Sequence, residues 1–442
     1  MTRILKYTLL ILLGFAVSAS YAQTGNLYTL QQCIETGVKN NLVVKQNALQ
    51  MLTDSVYYSQ AKTNMFPTLS ANAGRTVNQG RAINPITNTY VNQSITYDGY
   101  GLNSGVTVFN GLALQNLVKQ ASLNYQAGKM DLQAAKDQVT VNIITNYLSI
   151  LDAQESLNQT KSAMAVAKET LDRLEILEKQ GNNKNASDIY DQRGLYANNQ
   201  ASVASAQNSL NAARLSLFAL MNIPYNPDAT FQPLNAADLA GEYGITPEQV
   251  YQTALNQLPV VKSAVLKRQA AEKNLKVYKG YLMPTLSLNG NLATSYSSIG
   301  TTSYTDQFRN NYQGSIGASL NIPIFLDHAR KNNVTLAKFN LQGTEYVEDN
   351  VKIVLKQNVE QAYYSMMSAY QRYHSWQEAV TNYTESFRIS KLRFEAGVLN
   401  AVEYTISKNQ MDNANLNLIS ARYDYYIYSK VLDYYQGKLS LQ

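Results

Sequence analysis

The chain has 442 residues and a formal net charge of +6, with 37 Lys and Arg against 31 Asp and Glu, which gives no electrostatic case for nucleic-acid binding. Only 15% of the residues are charged while 33 are Tyr, a composition that excludes a disordered chain. A single Cys and two His exclude a disulfide framework and a Cys- or His-rich metal site.

Residues 1–22 have the pattern of a cleaved secretory signal peptide. Arg3 and Lys6 precede an apolar run from Tyr7 to Val17, and small residues stand at the positions before Gln23 that a signal peptidase reads. The run is shorter than the roughly 20 residues that a bilayer-spanning helix needs, and no later segment is long and apolar enough. We therefore expect an exported chain whose mature form has no transmembrane helix.

An internal duplication follows. The segment Pro67–Ser70, PTLS, recurs as Pro284–Ser287, and Thr29 with Gln three residues later recurs as Thr246 with the same spacing, each pair separated by about 217 residues. A repeat determines the architecture of the whole chain, so we expect two copies of one structural unit. The predicted divisions are a first repeat over residues 23–221, a connector over 222–245 and a second repeat over 246–442.

Each copy opens with a predicted helix. Thr29 and Thr246 have the spacing of a capping box, and Pro247 suits the first helical position. Helices of about thirty residues are expected to follow, ending near Asn64 and Met283.

Each helix is followed by a predicted β-hairpin, over residues 66–110 and 284–325. Apolar residues alternate there with small polar ones, as at Leu69, Ala71 and Ala73, and this period of two indicates strands with one apolar and one polar face. Polar hairpin tips are expected over about 81–98 and 299–311.

Long helical hairpins complete the copies, over residues 112–221 and 327–438, with breaks at Gly181 and Gly397. Apolar residues recur at intervals of seven, the a/d seam of a coiled coil. At 1.5 Å per residue, one such helix from Leu112 to Gln180 would be about 100 Å long, a length suited to spanning distance. The heptad residues of the long helices are Ile143, Ile150, Leu157, Met164 and Leu171 in the first copy, and Val359, Met366, Tyr373, Val380, Phe387 and Phe394 in the second.

The four strands are long enough to cross a bilayer, since about 9–11 tilted residues suffice. Four strands cannot close a barrel, and open strand edges are not viable in lipid. Two copies of the chain would give eight strands and a filled lumen, whereas three would give twelve and room for a channel, and we favour three. Taken separately, the strands also fit a soluble sandwich and the heptads a soluble coiled coil.

The order of these features resembles the TolC-like outer-membrane efflux protein family from about Leu27 to Lys438. The residues that carry the resemblance are the PTLS strand starts at Pro67 and Pro284, the segments Asn40–Leu42 and Asn256–Pro259, and the helix breaks at Gly181 and Gly397.

The resemblance implies a mainly α fold with a membrane β-barrel portion. Three copies would form a homotrimer, whose twelve-stranded barrel lies among outer-membrane lipid and continues into an α-barrel across the periplasm. It also implies docking to a periplasmic adaptor (membrane fusion) protein and an inner-membrane pump. The function would be passive conduction of substrates in a tripartite efflux or type I secretion system.

Residues at the ends of the long helices receive roles through the same resemblance. An Arg-x-x-x-Gly pattern that contacts the adaptor in the family is matched by Arg393 and Gly397. In the first copy Gly181 has no Arg at that spacing, and Arg173 lies one turn further back, so the match is looser.

Acidic residues soon after each Gly are candidates for a carboxylate ring that narrows the pore. They are Glu403 in the second copy and Asp188 and Asp191 in the first. Repetition by three protomers would cluster like charges, which attract cations and hold protons more tightly. The same residues also suit helix caps: Asn400 and Glu403 have capping-box spacing, Asp188 can cap a return helix, and both glycines suit helix C-caps.

No catalytic constellation or cofactor motif is found. The sequence has no G-x-G-x-x-G, G-x-x-x-x-G-K-[ST], H-E-x-x-H or G-x-S-x-G, and His328 and His374 are isolated. We expect neither an enzyme nor a bound cofactor or metal ion. The alternative function is an exported coiled-coil structural or adhesive protein without a pore.

Overall fold

In the computed structural model, the residues described are 27–83, 87–181, 187–233, 244–325 and 328–438. The predicted signal peptide lies outside them, as does part of the predicted connector. Across the described ranges, no helix combines the length and apolarity needed to cross a membrane.

The two copies repeat one order of elements. The first contains β1 (Leu27–Tyr28), α1 (Leu30–Asn40), α2 (Leu42–Thr63), β2 (Thr68–Asn78), β3 (Arg81–Ile83), β4 (Tyr90–Asn92), β5 (Ile95–Phe109), α3 (Ala113–Lys179) and α4 (Ser187–Met221). After β6 (Thr230–Phe231), the second contains α5 (Pro247–Gln257), α6 (Pro259–Gly280), β7 (Thr285–Ser297), α7 (Tyr304–Asn310), β8 (Gln313–Asn321), α8 (His328–Glu395) and α9 (Ala401–Tyr435).

The chain forms two compact units. One draws on the described residues up to Asn47, within Gln133–Leu258 and from Ile353 onward. The other draws on Ala48–Leu132 and Pro259–Lys352, and it holds the strands of the main sheet.

The capping boxes at Thr29 and Thr246 are confirmed, because each hydroxyl accepts from the backbone N–H of the Gln three residues on and each Gln side chain accepts from the Thr N–H. The prediction of one helix of about thirty residues is wrong. Each helix is interrupted, at Asn41 and at Leu258, where ψ is 131° in both copies. Leu258 precedes Pro259, and a residue before proline is disfavoured in the helical conformation. In the first copy the Asn41 side chain accepts from the N–H of Val43 at 2.9 Å and restarts the helix.

The main sheet is antiparallel in the order β2-β5-β7-β8, so the two predicted hairpins pair through β5 and β7 into one sheet. The register puts Leu102 opposite Ala71 and Leu292, and the neighbouring Asn103 opposite Ser70 and Asn291. The predicted apolar and polar faces are thus present across all four strands.

The predicted hairpin tips contain more regular structure than expected. Strand β5 begins at Ile95, inside the predicted first tip, and β3 pairs with β4 in a smaller hairpin there. In the second copy, α7 occupies the tip, and its N-cap Ser303 accepts from the N–H of Asp306 at 3.1 Å. The small hairpin and the short helix both lie in short polar segments. Residues of the types that form turns can also cap a helix, as Ser303 does, or pair as short strands, as those of β3 and β4 do.

The long helices are confirmed, and α3, with 67 residues, is about 100 Å long. Their heptad residues are buried most completely at Ile143, Ile150 and Leu157 in the first copy, and at Val359 and Met366 in the second. Later heptad positions of α8 are only half-buried within one chain.

The connector contributes β6, which pairs in parallel with β1. Beside this pair, the buried Tyr147 hydroxyl lies 2.8 Å from the carbonyl oxygen of Gln232 and 3.1 Å from that of Tyr28. Gly37 packs closely against the same helix, since a Cβ at this position would lie 2.2 Å from the Cδ1 of Ile143 and that side chain would have to move. The predicted division of the chain at residues 222–245 remains a prediction.

Candidate functional site

The long helix α8 ends in a Schellman motif centred on Gly397, which has φ +74°. The Gly397 N–H donates to the carbonyl of Phe394 at 3.0 Å, and the Val398 N–H donates to that of Arg393 at 2.9 Å. Asn400 then caps α9, accepting from the N–H of Glu403 at 2.8 Å. The chain therefore reverses direction within a few residues, through groups that the sequence already identified.

The first long helix ends in a comparable way. Gly181 has φ +68°, and its N–H donates to the carbonyl of Glu178 at 2.9 Å. Residues 182–186 lie outside the described ranges, and α4 begins at Ser187. The prediction that Gly181 and Gly397 terminate their helices is confirmed.

These two helix ends lie together. The guanidinium of Arg173 is 3.9 Å from the carboxylate of Glu395 and 3.4 Å from its carbonyl oxygen. Phe394 packs with Tyr196 against a buried cluster, whose members are Leu171, Leu174 and Ile189. The ends of the two copies thus form one packed tip region.

The two arginines predicted for adaptor contact have different surroundings. Arg173 is engaged with Glu395, whereas the Arg393 side chain is exposed and the Arg393 carbonyl serves the helix cap. Gly397 and Gly181 are exposed, and a Cβ added to either would meet no neighbouring atom within 4 Å. The exposed Arg393 and Gly397 are therefore accessible to another protein.

The candidate gate carboxylates stand at the starts of the return helices. Glu403 and Asp191 are exposed, and Asp188 is half-buried. Partial burial, followed by the charge of Asp191, raises the pKa of the Asp188 carboxyl above its ordinary value. The carboxylates of Asp188 and Asp191 thus interact within one chain. Glu403 is held at the start of α9 by its backbone N–H, which donates to the side chain of Asn400.

The tip region contains an ion pair that sequence reasoning missed. Lys408 and Asp412 are both buried and bonded to each other, and the Asp412 carboxylate also accepts from Gln159 at 3.3 Å. The Lys408 ammonium lies 5.7 Å from the centre of the Phe387 ring. The spacing of four residues between Lys408 and Asp412 could have suggested the ion pair. It could not have indicated that the pair is buried, because Lys side chains are mostly exposed.

A second cluster joins α3 to α9. Arg422 pairs with Glu155, and Arg372 of α8 pairs with Asp424 at 2.7 Å. Burial, with the charges of Asp424 and Glu155, raises the pKa of Asp152 to about 6. Within the described ranges, no group of three or more His, Cys, Asp or Glu side chains is arranged to hold a metal ion.

Comparison with known proteins identifies the class. The family model described as "Outer membrane efflux protein" matches residues 34–222 and 250–437, once in each copy. The chain therefore belongs to the outer membrane efflux protein family.

Individual relatives and a solved structure support membership of this family. Outer membrane protein TolC of Escherichia coli (strain K12) is 22% identical over 449 residues, covering 96% of this chain and 85% of that protein. Toxin and drug export protein A of Aggregatibacter actinomycetemcomitans is 20% identical, covering 92% and 87%. The CmeC outer membrane channel of Campylobacter jejuni has the same fold, with a TM-score of 0.81 and 19% identity over 93% of this chain and 87% of that one.

These findings confirm the family resemblance and the predicted TolC-like fold class with its long coiled-coil helices. The protein is an outer-membrane efflux channel whose helical portion lies in the periplasm. The alternative of a structural or adhesive protein without a pore is not favoured.

Proposed function

We propose that three copies of this chain form one pore, which passively conducts substrates from an inner-membrane pump and a periplasmic adaptor across the periplasm and the outer membrane. The proposal rests chiefly on the edges of the main sheet. Strands β2 and β8 are its two edges, and every residue of both is exposed in a single chain.

Exposed edges are not viable in lipid, where each backbone N–H and C=O must be paired. If β2 of one copy pairs with β8 of the next, three copies close a barrel of about twelve strands with room for a lumen. The apolar face of the sheet would contact lipid, and the polar face would line the lumen.

The helices that adjoin these edges also present unpaired apolar side chains. Leu49 and Val56 on α2, which leads into β2, are 64% and 65% exposed. Leu336 and Phe339 on α8, which follows β8, are 61% and 64% exposed. Such stripes on adjoining elements support a second copy as their partner, because contact would bury them along the same seam as the strand edges.

The tip residues are the proposed contacts with other proteins. Arg393 and Gly397 present an exposed turn to the adaptor, with Gly181 and Arg173 contributing from the first copy. The carboxylates of Glu403, Asp188 and Asp191 would form the narrow, cation-attracting end of the pore when repeated by three protomers.

The assembly is tested by the mass of the detergent-solubilised mature protein, measured by light scattering and corrected for bound detergent. A trimer is expected. A monomer that remains stable without detergent would contradict the proposal, since four strands would then have no partner for their edges.

A further inference from the structure

The strands of the main sheet are almost free of charge, and what charge they have lies on one face. All residues of β2, β5, β7 and β8 are described, and among them only Arg75 and Asp98 are charged. The two stand opposite each other in register with Tyr296, on the face that also holds Leu102 and Leu292. The Arg75 guanidinium donates two hydrogen bonds, of 2.6 and 2.7 Å, to the Asp98 carboxylate, so the two charges neutralise each other.

The opposite, polar face contains a hydrogen-bonded chain of three amides. Asn291 of β7 donates from Nδ2 to the Oδ1 of Asn103 on β5 at 2.6 Å. Asn103 in turn donates from Nδ2 to the Oδ1 of Asn72 on β2 at 2.9 Å. We call Asn72, Asn103 and Asn291 the amide belt. The belt crosses three of the four strands in one direction of donation.

Glycines let the amides of this face lie flat against the sheet. A Cβ on Gly101 would be 2.7 Å from the Oδ1 of Asn72, so the space above Gly101 is occupied by that amide. A Cβ on Gly105 would be 3.2 Å from the Oδ1 of Asn289. The side chains therefore extend along the wall rather than away from it.

We propose that the amide belt makes the strand segment of the pore a neutral passage, which conducts cationic, anionic and uncharged polar solutes without selecting them by charge. This inference rests on the proposed function, because the polar face must line a lumen. Charge selection in channels comes from rings of charged side chains, and this face has none. Three copies would repeat the belt around the lumen.

The amides suit passage rather than capture. A primary amide offers donors and an acceptor to a hydrated solute, and bonds between neighbouring amides keep these groups fixed against the wall. Without a net charge, the belt has no long-range attraction that would hold an ion in place. Selection between cargoes is then left to the helical end of the channel and to the partner proteins.

The test uses the purified full-length mature protein in planar bilayers, with a KCl gradient and the ratio of K⁺ to Cl⁻ permeability as the readout. Asn103→Asp is expected to raise that ratio several-fold and Asn103→Lys to lower it by a similar factor. Shifts of similar size in opposite directions are the result expected of a neutral wall. No shift with either variant, or a shift with only one, would overturn the inference.

Cysteine labelling tests independently whether the belt faces the lumen. Cys33 is the single cysteine and is fully buried, with its pKa raised by burial to about 12, so it leaves an unreactive background. A charged thiol reagent should reduce the conductance of Asn103→Cys and leave that of Leu102→Cys, on the opposite face, unchanged. Equal block at both positions would contradict the assignment of the faces.

A separate variant tests whether the Asn72 amide lies flat against the sheet. Gly101→Ala should displace the Asn72 amide into the lumen and lower single-channel conductance without changing the permeability ratio. Gly74→Ala, on the same face with no atom within 4 Å of its added Cβ, is the matched control and should have the smaller effect. Equal effects would reject that geometry. Absence of any channel in the unmodified protein would instead contradict the proposed function, so the two failures are distinguishable.

Discussion

The guanidinium of Arg173 lies 3.9 Å from the carboxylate of Glu395, so the ends of the two long helices are joined by an ion pair between residues that are 222 positions apart. Both side chains are partly exposed, and such pairs contribute only about 0–1 kcal/mol. The greater stability of the tip comes from Phe394 and the buried cluster beneath it. Arg173 is thus held in a contact within the chain, whereas the side chain of Arg393 is exposed.

Arg393→Ala is therefore expected to weaken adaptor binding by about tenfold, the loss of a single charged contact worth roughly 1.4 kcal/mol. The measurement is the affinity of the detergent-solubilised channel for its purified adaptor. Arg388→Ala is the matched control, because Arg388 is also exposed on α8 but is paired with Glu385 at 2.7 Å. Equal loss with both variants would indicate a general charge effect and contradict a specific role for Arg393.

Glu403→Gln is expected to raise the conductance of closed channels in planar bilayers. Neutralisation removes three carboxylates from the proposed ring, while the Asn400 cap is retained because it uses the Glu403 backbone N–H. The control is Glu385→Gln, an exposed acidic residue of α8. Unchanged closed conductance with Glu403→Gln would show that this carboxylate does not narrow the pore and that Glu403 serves only the start of α9.

Asp412→Leu is expected to destabilise the helical region by about 3–5 kcal/mol, because it leaves the Lys408 ammonium buried without its partner. Thermal unfolding followed by circular dichroism measures the loss. The double variant Lys408→Met with Asp412→Leu should recover most of the stability, since it removes both charges. If the double variant were no more stable than Asp412→Leu, the loss would lie in packing rather than in an unpaired charge.

Asp152→Asn is expected to stabilise the protein above about pH 6. The pKa of Asp152 is raised from 3.8 to about 6, so its charged form costs stability in the folded state. That cost is fully present above the folded pKa and disappears as the pH falls toward the unfolded value. At 1.36 kcal/mol per unit the shift corresponds to at most about 3 kcal/mol, which partial exposure reduces to about 1–2 kcal/mol.

The measurement is the unfolding midpoint of both proteins at pH 8 and at pH 4. The difference should be large at pH 8 and small at pH 4, where Asp152 is mostly protonated in the folded protein. Burial is the largest cause of the raised pKa of Asp152, and the charges of Asp424 and Glu155 add to it, while a hydrogen bond from Ser420 and the charge of Arg422 oppose it. A stabilisation independent of pH would exclude titration of Asp152 as its cause.

The local sequence determined where most elements begin and end. The capping boxes at Thr29 and Thr246 and the left-handed caps at Gly181 and Gly397 depend on residues only a few positions apart. The alternation of apolar and polar residues likewise set the two faces of each strand. Leu258, before Pro259, signalled the helix break by the same local chemistry, although the expectation of one helix overlooked it.

Tertiary structure alone decided which distant groups meet. The pairing of β5 with β7, the contact of Arg173 with Glu395 and the pair of Arg422 with Glu155 each join the two copies of the repeat. The pKa of Asp152 depends on such a contact, because Asp424, Arg422 and Ser420, which all affect it, lie on α9 in the other copy of the repeat. Local sequence fixes dihedral preferences over a few residues, whereas burial and charge coupling depend on the surfaces that packing brings together.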